Sequence, residues 1–164
     1  MAELTNLESK LAEVLGLAQA AKGATAKVKG LADDDRELTA VLDRMQEEAE
    51  ETARRCEELA GDFDGKKTAI LEQARETKQE ATEMMQTYLG ADADALDGFE
   101  FLTMAEAGEV GHWEIVDVLA DRAAHTETRS LVEWALPIQR RHLADVREGS
   151  LKLAEQEDPN ETSG

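Results

Sequence analysis

The sequence predicts an all-α helical bundle, and three observations carry that reading. Only two prolines, Pro137 and Pro159, occur in 164 residues. The long stretches between glycines are filled with Ala, Leu, Glu, Lys, Gln and Arg, which are strong helix formers. Apolar residues recur at spacings of three and four, which gathers them on one face of a helix, and no segment shows the alternation of a strand. A chain of this length fits a single domain able to bury a core without disulfides, expected over residues 1–157, with a disordered tail over 158–164.

A first helix is expected from about Glu3 to Ala21, with Leu4, Leu7, Leu11, Val14, Leu15 and Ala18 on one stripe. Gly23 and Gly30 loosen the chain after it, with a weaker helical stretch between them around Val28. Asp34 with Glu37 resembles a capping box and opens a second helix through Leu38, Val41, Leu42, Met45, Ala49, Thr52, Cys56 and Leu59, closed by Gly61 to Gly65. A third helix runs from about Lys66 to Leu89 with Ile70, Ala74, Thr77, Ala81, Met84 and Tyr88 on one face, capped by Gly90. The second and third helices are expected to form one long hairpin.

The fourth helix follows the Asp92 to Asp94 turn. Its stripe of Phe99, Leu102, Ala105, Glu109, His112, Val116, Leu119 and Ala123 lies close to the 3.5-residue coiled-coil repeat. Phe101, Met104, Ile115 and Val118 broaden its apolar surface and suggest dimerisation through this helix, while Gly108 and Gly111 permit a close helix contact. The pattern breaks around His125 to Thr128, where His125 is expected at the turn, solvated or capping the fourth helix. The fifth helix then carries Val132, Ala135, Gln139, His142, Val146, Gly149 and Leu153, and Pro137 predicts a kink near Glu133.

Charge narrows the functions open to the chain. A formal net charge of -19 repels phosphate backbones and anionic lipid, so neither nucleic acid nor a membrane is an expected partner. No run approaches the length of a membrane span, and Met1-Ala2-Glu3-Leu4 has neither the basic nor the hydrophobic region of a signal peptide, so a cytosolic location is expected. Cys56 is the only cysteine, reads as a small core residue, and excludes an internal disulfide or a multi-thiolate metal site. No phosphate-binding glycine loop and no Ser or Cys nucleophile beside a histidine is present.

The remaining chemistry lies on the last hairpin. If the fourth and fifth helices reverse near residue 125 or 126, positions whose numbers sum to about 250 share a level, which sets Glu109 near His142 and His112 near Gln139. The i, i+3 spacing puts Glu109 and His112 on one face, and Gln139 and His142 likewise. Glu106 extends the cluster by one turn. Buried polar groups of this kind need mutual hydrogen bonds, water or a metal to offset their desolvation. Glu109-Val110-Gly111-His112 matches the Glu-x-x-His motif of di-iron and di-manganese bundles, whereas Gln139-Arg140-Arg141-His142 carries an amide in place of the second acid.

The segment from Phe99 through Gly111-His112-Trp113-Glu114, followed by Leu131 to His142, resembles the ferritin-like superfamily, nearest its small bacterial stress-response branch. The resemblance covers about residues 94–156. It implies a ferritin-like up-down four-helix bundle with an additional N-terminal helix, an inward-facing metal site, and a role in stress response or metal homeostasis. Gly111 stands where that branch has a Glu, and Gln139 and Ile138 fall where carboxylates are usual. Two readings follow. One is a ferritin-like protein binding a transition metal (iron, manganese or zinc) through Glu109, His112 and His142, with Glu106, Gln139 and Glu114 as further candidates. The other is a non-enzymatic helical protein, a homodimer or higher homo-oligomer or a partner-binding module, whose metal-free polar cluster fixes register.

Overall fold

The computed structural model describes residues 2–162; Met1 and the last two residues of the expected tail, Ser163 and Gly164, lie outside the described residues. The described residues form five helices and no strand: α1 (Asn6–Leu31), α2 (Arg36–Ala60), α3 (Lys67–Tyr88), α4 (Ala95–Arg122) and α5 (Thr126–Glu155). Among the described residues, no helix is long and apolar enough to cross a membrane.

Four of the five helices, all but α3, begin at a side-chain cap. Thr5 and Glu8 form a reciprocal capping box on α1, and Asp94 with Asp97 does the same for α4, in each case satisfying backbone N–H groups that have no partner inside the helix. The cap of α2 is Asp35 rather than Asp34, its carboxylate accepting from the Leu38 N–H at 3.1 Å. Gly23 and Gly30 do not end α1. The alanine-rich turns around them carry the helix on to Leu31, where buried Val28 packs against α4 at Gly98. His125 is the N-cap of α5 instead of a cap on α4: its Nδ1 accepts from the Thr128 N–H at 3.3 Å, and its ring stacks on Phe63 at 4.7 Å. Pro137 lies inside α5, which stays helical to Glu155.

The directions of the helices follow from their contacts. Lys22 pairs with Glu50 and Lys29 with Asp43, so α1 and α2 run antiparallel. Val28 meets Gly98 and Glu13 faces His112, so α4 descends along α1. Phe99 lies against Gly149 and Glu109 against Gln139, so α5 ascends along α4, at the register expected from a reversal near residue 125. Arg55 stacks over the Trp134 ring at 4.0 Å and Arg44 pairs with Asp145 at 2.7 Å, which sets α5 antiparallel to α2. The ring α1–α2–α5–α4 therefore closes with every neighbour antiparallel.

This arrangement corrects two expectations. The N-terminal helix is no addition to the bundle, because α1 packs against α2, α3 and α4. The additional helix is α3, which meets α2 only slightly instead of forming a hairpin with it, and runs parallel to α1 from the Ser9–Gln73 contact upward. Gly16 makes this possible: a Cβ there would lie 2.4 Å from the Ala74 carbonyl oxygen, so only glycine lets the two backbones approach. Ile70 and Ala74 are buried, but Met84 and Tyr88 further along are exposed. The α3 helix thus carries the chain from the bottom of one hairpin to the top of the other.

Two large clusters fill the ring. One centres on Leu11, Leu15, Trp113, Val116 and Val132, the other on Val28, Leu42, Met45, Phe99 and Val146. Burial of that many large side chains, at about 1.5–3 kcal/mol each, supplies the main drive to fold. Cys56 sits in the first cluster, where burial pushes its thiol up, as a core residue should behave.

Candidate functional site

The inward stripe of α4 is Leu102, Glu106, Glu109, Trp113, Val116 and Ala120, all buried. Its members recur every seven residues, in the rows Leu102–Glu109–Val116 and Glu106–Trp113–Ala120, as in the expected 3.5-residue repeat. The expected stripe shared the first row but took Ala105–His112–Leu119 as the second, and the one-position difference displaces one site residue: Trp113 turns inward where His112 was expected. The His112 side chain is 39% exposed and its Nε2 faces Glu13 of α1 at 3.8 Å, whereas the His142 side chain is 4% exposed and points toward α2. No contact joins the two imidazoles, and they form no pair. Glu114 is exposed and faces Arg140 at 3.6 Å, away from the cluster.

Glu106, Glu109, Gln139 and His142 do come together. The Gln139 amide donates to Glu109 at 2.9 Å and also to Glu106. His142 presents Nδ1 to Glu106 at 3.9 Å and Nε2 to Glu48 of α2 at 3.2 Å. Glu48 also accepts from Arg141 and lies 3.9 Å from Arg44. It was missed as a site residue because it stands at the edge of the α2 stripe, yet it is three residues after buried Met45 and so shares that face. Every fully buried side-chain nitrogen and oxygen among the described residues has a partner.

Electrostatics divides the two acids. Burial raises the Glu109 carboxyl well above the usual carboxylate range, and the neighbouring Glu106 charge raises it further. Burial also raises Glu106, but its hydrogen bond with Glu109, the nearby His142 and the Gln139 amide oppose that rise. Burial thus works against charge on both carboxyls, most strongly on Glu109. Glu48 goes the other way. Burial works against its charge, but hydrogen bonds from Arg141 and His142 outweigh that effect and lower its pKa.

As arranged, these groups are not a coordination set. The Gln139 N–H points at both carboxylates where a cation would have to sit, and no group of three or more His, Cys, Asp or Glu among the described residues converges to hold a metal ion.

A cleft of about 530 Å³ between α1, α3 and α4 has Glu106 and Glu109 among its lining residues. The cleft exists because α3 and α4 both pack on α1 while making no substantial contact with each other. Small residues of α1, Ala20, Ala21 and Ala24, leave its base open, Met84, Met85 and Met104 line one end, and Glu13 with His112 stands at the other. Its size is that of a small-molecule site, and methionines adapt to irregular ligands.

No family model, curated protein or solved structure matches this chain. Function has to be argued from the site itself.

Proposed function

We propose that this chain is a non-enzymatic helical binding protein whose working site is the cleft between α1, α3 and α4. The observation that carries this reading is the cleft: an apolar space of about 530 Å³ with two buried acidic residues, Glu106 and Glu109, in its wall. Apolar concavities with a few convergent polar groups are the usual form of small-molecule sites. The Gln139-centred network on the far side holds the two acids in place, and so acts as a positioning device without a metal. Exposed Met104, Ile115 and Val118 on α4 support the further expectation of a homo-oligomer.

Titration with Nile red, a neutral apolar dye, tests the reading. The protein should bind it at one site, and Gly108→Trp, which places an indole where a side chain now meets nothing within 4 Å, should weaken binding by about tenfold or more. Ile115→Ser, elsewhere on the exposed face of α4, should leave it unchanged. Equal binding by wild type and Gly108→Trp would remove the cleft as the site.

A second reading keeps the ferritin-like resemblance and its transition metal, whether iron, manganese or zinc. Its support is topological: two antiparallel hairpins, α1–α2 and α4–α5, joined by one long crossover, are the plan of ferritin-like bundles. Glu48, Glu106, Glu109 and His142 would be the protein's donors, provided the Gln139 amide turned its oxygen inward and the carboxyls were ionised. Metal analysis of protein purified without chelator decides it. Stoichiometric metal lost in Glu106→Ala and His142→Ala would establish the site and give the stress or metal-homeostasis role its basis; substoichiometric metal in the wild type would end it.

A further inference from the structure

We infer that the ligand of the α1–α3–α4 cleft is a small hydrophobic amine, bound with its apolar body along the alanine and methionine surfaces and its ammonium against Glu106 and Glu109. The inference rests on the cleft being the binding site and adds the chemical class of the ligand.

Charge around the cleft selects the class. Four acidic residues line it, Glu13 from α1, Glu80 from α3, and Glu106 and Glu109 from α4. The one lysine in its wall, Lys10, is engaged by both oxygens of Glu13 at 3.0 Å and is not free to hold an anion. An anionic ligand would meet uncompensated like charge, and a neutral one would leave the acid pair as it is. An ammonium gains from the inner pair directly, in a site whose other walls are apolar and screen poorly.

The titratable groups around the pair are His142 from α5, backed by Glu48 of α2, and Lys10, Glu13, Glu80 and His112 stand at the cleft. A docked ammonium donates its N–H groups to the carboxyls, and no covalent bond is made or broken.

The experiment uses three probes of equal length, octylamine, octanol and octanoate, titrated calorimetrically into the full chain. Octylamine should bind about tenfold or more tighter than octanol, with octanoate weakest. Glu109→Gln should bring octylamine to within about threefold of octanol while octanol binding persists, which shows the cleft intact. Glu80→Gln, at the exposed rim, should shift octylamine in the same direction by less, and serves if the buried substitution unfolds the chain. If octanol binds as tightly as octylamine, or octanoate more tightly, the amine is overturned while the cleft stands. If none of the three binds, and Nile red does not, the cleft reading falls with it.

Discussion

The Gln139 amide gives N–H groups to two carboxyls that would otherwise repel across a buried space. A glutamate in its place would differ by little in shape and wholly in chemistry. Gln139→Glu adds a third acid to Glu106 and Glu109 and removes their shared donor, so about 3 kcal/mol should be lost near pH 7.5. The sign of the pH dependence follows from direction. A carboxyl whose folded pKa lies above its unfolded value of 4.5, as Glu109's does, contributes stability that is present below that value and lost as pH rises through the folded pKa. Glu48 and Glu8, whose pKa values are lowered, act oppositely and only as pH falls below about 4.5, so they are silent in the window above it. Urea unfolding of the variant should therefore show a large deficit at pH 7.5 that shrinks at pH 5.0. An equal deficit at both pH values would mean that packing, not charge, sets the cost.

The same residues show what the sequence discloses at this scale. Glu109, Glu106, Gln139 and His142 were legible because i, i+3 spacing and hairpin register are local arithmetic. His112 was misplaced because the rows through 105, 112 and 119 and through 106, 113 and 120 flank the shared Leu102–Glu109–Val116 line at i+3 and i+4, and only the packed helix decides whether position 112 or 113 ends up inside. Trp113, the larger apolar side chain, takes the buried position.

Between elements, glycine positions report where backbones meet. At Gly16 a Cβ would press on the Ala74 carbonyl oxygen and within 2.7 Å of the Thr77 Cβ, neither of which is a flexible tip. Gly16→Ala should cost about 1–3 kcal/mol, and because α3 docks chiefly on α1, hydrogen exchange should rise along Lys67–Tyr88 before it rises in the ring of four. Gly111 is the contrast: nothing lies within 4 Å of its Cβ position, so Gly111→Ala should stabilise α4 by about 0.5–1 kcal/mol. Uniform exchange across all helices in Gly16→Ala would show that α3 is not a separable element. Its role as a crossover was hidden in the sequence, where Ile70, Ala74, Thr77 and Ala81 read as one more amphipathic face. Amphipathicity gives the existence of a helix but not its neighbour, and the small side chain that selects α1 as that neighbour belongs to a different segment.

Across the whole molecule, 37 acidic residues face 18 basic ones, and the excess acts on stability through repulsion in the folded state. Salt has two opposing effects. It weakens exposed ion pairs such as Lys22–Glu50, Lys29–Asp43 and Arg54 with Glu51 and Glu58, each worth about 0–1 kcal/mol. It also screens repulsion among acids such as Glu76, Glu80 and Glu83 along α3, cutting the Debye length from about 10 Å at 0.1 M to about 3 Å at 1 M. Unpaired acids outnumber the pairs, and folding brings them closer than they stand in the extended chain, so relief of repulsion should win. The thermal midpoint should rise by about 5 °C between 0.1 M and 1 M KCl, while a Gly111→Ala protein, altered in helix propensity and not in charge, should show the same increment from a higher start. A midpoint that falls with salt would mean that the surface pairs dominate, and the acidity of the chain would then have to be explained by what it binds instead of by how it folds.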